Sequence, residues 1–153
     1  MTSRLVRLAV VVGFVLALGA PSATAATGHL SGGGTASVGD LAFSQVAMNV
    51  TFDGSGGASG SFECLMAGRS AFVLGDFGLK HIMAVHATPT AGVAGASGAS
   101  FSGPAKLVMD NGTHMPVHVE VTVDVAAQNF RLRVVEVGLL PWEHLLTGHV
   151  SLR

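Results

Sequence analysis

The stretch Val117-His118-Val119-Glu120-Val121-Thr122-Val123-Asp124-Val125 decides the fold class, because apolar and polar residues alternate along its whole length. In an extended chain its five valines point to one side and its four polar residues to the other, which is the pattern of a strand with one buried face. Valine is also branched at Cβ, which disfavours helix and favours strand. The stretch therefore predicts a β-strand that covers a hydrophobic core.

A hairpin turn is predicted immediately before this strand, at Asp110-Asn111-Gly112-Thr113. Asn and Gly accept the positive φ angles that tight hairpin turns require. A three-residue loop at Asn111-Gly112-Thr113 pairs Leu107 with Val117 and keeps one face of the hairpin apolar, so we expect that register.

Similar alternation, interrupted by turn residues, recurs along the rest of the chain. It predicts further strands near residues 28–37, 41–52, 59–66, 71–74, 79–87, 100–109, 129–134 and 145–152. No segment of residues 26–153 has the period of a long helix. We therefore predict a single all-β domain over residues 26–153, an antiparallel meander of about eight or nine strands that forms a small barrel or a sandwich.

Residues 1–25 have the composition of a secretory signal peptide, which we expect to be helical. Arg4 and Arg7 supply the positive start, an apolar run at 8–20 follows, and Ala23-Thr24-Ala25 places small residues where signal peptidase cuts. A helix that crosses a bilayer needs about 20 apolar residues, more than this run contains. We expect cleavage near Ala25 and a secreted or periplasmic mature domain that does not span a membrane.

Loss of Arg4 and Arg7 makes the mature domain mildly acidic, since six Lys and Arg then stand against nine Asp and Glu, a formal charge of −3. Nucleic-acid binding needs a basic face, so we expect no nucleic-acid partner.

Cys64 is the single cysteine and has no partner for an internal disulfide. It lies between Phe62 and Met66 on one predicted strand face, which favours burial; if exposed, it would link two chains in a dimer.

Seven histidines in the mature chain raise a metal-site hypothesis, because imidazole is a ligand for zinc and copper. They are His29, His81, His86, His114, His118, His144 and His149. His114 and His118 share a strand face, but four residues at about 3.3 Å each separate them by roughly 13 Å, too far for one ion. A metal site therefore requires histidines from different strands, and we expect surface histidines with no metal or cofactor.

The polar face of the valine strand allows two interpretations, an acid–base cluster or surface ion pairs. His118, Glu120 and Asp124 supply its titratable groups. A turn at residues 126–129 would place Asp124 opposite Arg131, and ion pairs of this kind are common on solvated strands. We therefore expect ion pairs rather than catalysis on this face.

Glu136 breaks the alternation of Phe130, Leu132 and Val134, which all point to the predicted core. Either the strand ends before Glu136 or a bulge turns its side chain outward. A buried carboxylate would indicate a functional site. We expect that the strand has ended.

Motifs of common enzymes are missing from the chain, which has no Gly-x-Ser-x-Gly elbow and no His-Glu-x-x-His motif. The glycine runs at 31–34 and 54–57 lack the following helix that a phosphate site needs, so we expect turns, bulges or flexible ends there. One Trp and no Tyr are too few aromatic side chains to build a sugar-binding platform.

Two segments match the glycosylation acceptor pattern: Asn49-Val50-Thr51 and Asn111-Gly112-Thr113. We expect a non-catalytic domain, with no catalytic, cofactor or metal residues to assign.

Four segments together resemble small secreted bacterial β domains. They are Phe101-Ser102-Gly103-Pro104-Ala105, the Asn111-Gly112 turn, the Val117–Val125 strand and Asn129–Val134, and the pattern that they form over residues 101–134 covers between a quarter and a third of the mature chain. The resemblance implies an extracellular module that stands alone or is attached to a larger protein. Such domains share no general activity, so the resemblance assigns no site residue.

Three functions are compatible with this pattern. The first, which we favour, is a non-catalytic extracellular β module that binds or packs on another macromolecule. The second is a β-barrel that carries small apolar ligands, with Met48, Met66, Met83 and several Phe around a cavity. The third is an exported metal-binding protein that uses His114 or His118. A filled interior favours the first function, and an apolar cavity favours the second.

We predict that the chain, expressed with its own residues 1–25 in a bacterial host, is recovered with Ala26 as its first residue, because signal peptidase cleaves after small residues. Mass spectrometry of the N-terminal peptide checks this. Ala25→Arg should block cleavage, whereas Thr24→Arg, at the unrestricted middle position, should not. Exported protein that retains the first 25 residues would contradict the assignment.

Overall fold

The computed structural model describes residues 26–39, 42–68 and 82–153, and the regular structure in them is β-strand. The strands are β1 (Thr27–Gly39), β2 (Ala42–Asp53), β3 (Ala58–Gly68), β4 (Ile82–Ala87), β5 (Ala91–Ala94), β6 (Gly98–Met109), β7 (His114–Asp124), β8 (Asn129–Val134), β9 (Gly138–Leu139), β10 (Glu143–Leu145) and β11 (His149–Leu152). The predicted all-β class is confirmed. The predicted signal helix and the strand expected at 71–74 lie outside the described residues. No helix in the described residues is long and apolar enough to cross a membrane.

All strand pairings among the described residues are antiparallel, and the strands belong to one sheet. Hydrogen-bonded neighbours follow the order β10-β1-β2-β3-β4-β6-β7-β8, and β8 also pairs with β10, so the order returns to its start. β5 pairs with β6, β9 with β8, and β11 with β1. The described strands outnumber the expected eight or nine because β5, β9 and β10 have only two to four residues, too few for alternation to reveal. β11 lies within the strand predicted at 145–152.

The core lies inside this closed sheet and is built from every second residue of the long strands. On β7 the buried residues are Val117, Val119, Val121 and Val123, as the alternation predicts, and His118 is exposed. The ring of Phe62 on β3 meets the edges of Phe101 and Phe130 at centroid distances of 5.6 and 6.5 Å, within the range of favourable edge-to-face contacts. Aromatic side chains therefore connect β3 with β6 and β8 across the interior.

The first hairpin has a different register from the expected one. Leu107 pairs with Met115 rather than with Val117, because the three-residue loop is Asp110-Asn111-Gly112. Gly112, at φ 80°, donates its N–H to the carbonyl oxygen of Met109 at 3.0 Å, as in a type I turn that ends in a left-handed residue. A two-residue shift keeps every side chain on its face, so the alternation is the same in both registers.

The second hairpin is shifted in the same way. Asp124 pairs with Asn129, and Arg131 lies opposite Thr122 rather than opposite Asp124. The Asp124 carboxylate instead accepts a hydrogen bond from the backbone N–H of Ala127 at 2.9 Å. The predicted ion pair between Asp124 and Arg131 is therefore wrong, because the carboxylate caps the turn.

β10 closes the sheet through a narrow seam between β8 and β1. On the β8 side Glu143 pairs with Phe130 and His144 with Asn129; on the β1 side Leu145 and His144 pair with Ala36 and Ser37.

The side chain of Gln128 reinforces this seam. Its amide nitrogen donates to the carbonyl oxygen of Val150 at 2.9 Å, and its amide oxygen accepts from the N–H of Val150 at 2.9 Å. The Gln128 carbonyl also accepts from the N–H of Leu145 at 3.0 Å. The carboxamide thus pairs with β11 as a strand residue would, and it links the β7–β8 turn to that strand.

The glycine run at 31–34 lies in the middle of β1, so the strand predicted near residues 28–37 is confirmed and a turn or flexible end at this run is wrong. β1 lies between β2 on one side and β10 and β11 on the other. A Cβ atom on Gly34 would overlap the carbonyl oxygen of Thr147, and one on Gly32 would overlap that of His149. Glycine is needed here because the neighbouring backbones approach too closely for a side chain. The second run, at 54–57, is a turn as predicted.

We predict that Phe62→Ala lowers the free energy of unfolding by about 3–5 kcal/mol, because it leaves a cavity where three rings meet. Phe43→Ala is the matched control, since Phe43 is 49% exposed, and it should cost less than about 1 kcal/mol. Urea unfolding monitored by circular dichroism gives both values. Equal losses for the two variants would mean that Phe62 is not a core residue.

Candidate functional site

The polar face of β7 carries ion pairs, but with partners that the predicted register did not give. Nη1 of Arg133 lies 3.1 Å from Oε2 of Glu120, and both side chains are about half exposed. Arg133 is the direct cross-strand neighbour of Glu120. An exposed pair of this kind contributes about 0.2–1 kcal/mol. Glu120 thus has a structural partner on a solvated face, and this geometry does not indicate an acid–base pair with His118.

Glu136 lies in the exposed turn after β8, which ends at Val134 as expected. Its carboxylate accepts the backbone N–H of His118 at 2.9 and 3.1 Å and lies 3.0 Å from Nδ1 of the same histidine. These hydrogen bonds hold the pKa of Glu136 below its usual value. The carboxylate therefore anchors the turn to β7.

The six described histidines are exposed, and four of them have separate polar partners: Glu136 for His118, and those given next for the other three. His86 lies 3.7 Å from Glu63, His144 lies 2.7 Å from Asn129, and His29 lies 3.1 Å from Thr51. Within the residues that the structure describes, no three His, Cys, Asp or Glu side chains form a group that could hold a metal ion. His81 lies outside those residues. The described geometry offers no support for a metal site at His114 or His118.

A buried polar cluster, which the sequence analysis missed as a group, lies inside the closed sheet: Ser44 of β2, Cys64 of β3 and Glu143 of β10. Ser44 is 0% exposed, Cys64 1% and Glu143 1%. The Ser44 oxygen and both carboxylate oxygens of Glu143 have no hydrogen-bond partner in the described structure. Buried polar atoms without partners are rare in proteins and draw attention to function.

The strand phase contained a signal for two members of this cluster. Ser44 is in register with inward-facing Val46, and Glu143 lies two residues before buried Leu145. Glu143 was missed because the predicted strand began only at Leu145. The burial of Cys64 was predicted from the same phase and is confirmed.

Burial controls the protonation of the cluster. Removal from water raises the pKa of Glu143 above its usual value. It also strongly raises the pKa of the Cys64 thiol, and the nearby Glu143 carboxyl raises that pKa further. The Ser44 hydroxyl adjoins both groups and moderates both rises, although its geometry with neither is that of a well-formed hydrogen bond. A protonated thiol is a poor nucleophile and metal ligand, so the cluster holds protons rather than attacking a substrate.

An outer groove of about 700 Å³ crosses the solvent side of β1 to β4. Its lining mixes small, apolar and polar side chains: Thr35, Gln45, Ala47, Glu63, Leu65 and His86. Leu65, in its floor, is 39% exposed. This outer groove is open to solvent. Cys64 of the buried polar cluster also contributes to its lining, although Cys64 is only 1% exposed.

A smaller groove of about 440 Å³ lies on the other side of the domain, beside Trp142. The Arg131 guanidinium stands 4.8 Å from the centre of the Trp142 ring, within the range of a cation–π contact. One face of the only tryptophan is thus already engaged by a cation.

Comparison with known proteins found no family model, no curated protein and no solved structure that matches this chain. The function is therefore inferred from the geometry of the described residues. The resemblance to small secreted bacterial β domains stays an expectation.

We predict that the Cys64 thiol does not react with 4,4′-dithiodipyridine in the folded protein at about pH 5, because its side chain is buried and protonated. One thiol should react after denaturation. Ser61→Cys, on the outward face of the same strand, is the control and should add one fast-reacting thiol. Rapid labelling of the native wild type, or a disulfide-linked dimer, would contradict the buried position.

Proposed function

We propose that the mature chain is a non-catalytic, exported β module that binds an extended segment of another protein in the outer groove. The observation that carries the proposal is the contrast between the two sides of the sheet. The described interior is occupied by side chains, whereas the concave space lies on the solvent side of β1 to β4. Binding through an outer face suits such an arrangement.

The interior supports a module rather than a carrier. Met48, Met66 and Met83, which the carrier hypothesis places around a cavity, are each no more than 3% exposed and belong to one core cluster. The Phe62 ring fills the space between β3, β6 and β8 through its contacts with two other rings. An apolar ligand would have to displace these side chains from a close-packed core.

The lining of the outer groove supports a polypeptide as the occupant. Four neighbouring strands at about 4.8 Å spacing make the groove roughly 14 Å wide, the length of about four extended residues. Leu65 and Ala47 offer apolar contact, and the exposed carboxylate of Glu63 offers a partner for a Lys or Arg. The charge of −3 argues against nucleic acid, and the scarcity of aromatics argues against a glycan.

A non-catalytic role fits the chemistry of the titratable groups. The exposed carboxylates of Glu120 and Glu136 are held by Arg133 and His118. Cys64 and Glu143 are each only 1% exposed and are enclosed by the sheet. These four groups therefore supply neither an accessible nucleophile nor a free general base.

We predict that selection from a random library of peptides about twelve residues long enriches sequences with a basic residue next to apolar ones, because these match Glu63 and Leu65. Ala47→Trp, which fills the outer groove, should weaken binding of an enriched peptide at least about tenfold. Ser59→Trp places the same ring on β3 outside the groove and should leave binding unchanged. Fluorescence anisotropy with labelled peptide gives the affinities.

Two results would overturn the proposal. Peptide binding that survives Ala47→Trp would place the site elsewhere. The carrier function would be favoured by stoichiometric binding of the apolar dye N-phenyl-1-naphthylamine. The metal-binding function would be favoured by stoichiometric zinc or copper in protein purified without a tag.

A further inference from the structure

We propose that the seam where β10 joins β8 and β1 is a pH-controlled opening in the closed sheet, held shut by the protonated carboxyl of Glu143. The proposal concerns the buried polar cluster and does not depend on what the outer groove binds. It rests on two features: the seam is the narrowest part of the described sheet, and an unpartnered acid is buried within it.

The seam has few backbone pairings. Two residue pairs join β10 to β8, and two join it to β1, whereas eleven residue pairs join β6 to β7. Segments with few hydrogen bonds and little buried surface open more readily than the rest of a protein. The seam can therefore separate while the pairings from β2 to β7 persist.

Glu143 lies at the seam, and among the described residues nothing pairs with its carboxylate to balance a negative charge. It is the cross-strand partner of Phe130 on β8, and the neighbouring strands present Ala36 from β1, Ser44 from β2 and Cys64 from β3. Of these, only the Cys64 thiol is titratable, and its raised pKa keeps it uncharged. An ionised carboxylate in this position would be buried without a cation, which strongly destabilises the closed state.

The sign of the pH effect follows from the two states. In the closed seam burial favours the neutral carboxyl; in the open seam water returns its pKa to the ordinary value near 4.5. Above that value the open form releases a proton that the closed form retains. Opening therefore becomes more favourable by about tenfold for each pH unit, until the pH reaches the raised pKa of the closed form.

Hydrogen exchange of the full mature chain tests the proposal, between about pH 4.5 and about pH 7.5. After correction for the intrinsic pH dependence of exchange, the amides of His144 and Leu145 should exchange faster in the wild type as the pH rises above about 4.5. The increase should be up to about tenfold for each pH unit, until the pH reaches the raised pKa of Glu143. The β7 amides of Val119 and Val121 should show no such increase. In Glu143→Gln, which keeps the shape and removes the acid, the seam amides should exchange at a corrected rate independent of pH.

Glu120→Gln is the matched control, because Glu120 is exposed on the outer face, and it should retain the wild-type pH dependence. If Glu143→Gln does not fold, Glu143→Met provides the same comparison. The labelling rate of Cys64 is a second measurement. The ratio of this rate in the wild type to the rate in Glu143→Gln should rise with pH. Three results would overturn the proposal. The first is a wild-type exchange rate at the seam that does not change with pH, and the second is an unchanged pH dependence in both Glu143 variants. The third is an equal acceleration of exchange at the β7 amides, because that indicates global unfolding.

Discussion

Closure of the sheet by β10 is the constraint on which the other features depend. An antiparallel sheet left open between β8 and β1 would expose two rows of unpaired backbone groups and one side of its core. Two residue pairs on each side of β10, together with the carboxamide of Gln128, prevent this. The filled interior, the buried polar cluster and the curvature that places the outer groove on β1 to β4 all require a closed sheet.

The fold class was predictable because alternation is a local property. Val117–Val125 specified a strand and its inward face without knowledge of any neighbour. The registers of both hairpins were not predictable in this way, since a two-residue shift leaves the same valines inside. No local pattern explained Gly32 and Gly34 inside the predicted first strand, because the close approach of His149 and Thr147 that requires them comes from residues more than 100 positions later.

The same distinction between local pattern and long-range pairing applies to the residues of the candidate site. Burial of Cys64 followed from the phase of its own strand, and the exposed position of Glu136 followed from where its strand ends. The wrong partner of Asp124 followed from the wrong register. Burial of Glu143 depends on a three-residue strand that lies between two others, so the phase of Leu145 could reveal it only if that strand were known to begin before Leu145. Long-range pairing, rather than composition, determines which acid is hidden.

The pairing of β1 with β11 also sets the order of events during folding. His29 and Arg153 exchange two backbone hydrogen bonds, at 2.8 and 3.1 Å, so strands from opposite ends of the domain are neighbours. Contacts between residues so distant in sequence form slowly, because a long loop must close first. The pairing of β1 with β11 therefore forms only after nearly all of the described chain has been synthesised. A fold of this kind is completed after synthesis of the domain rather than strand by strand during it.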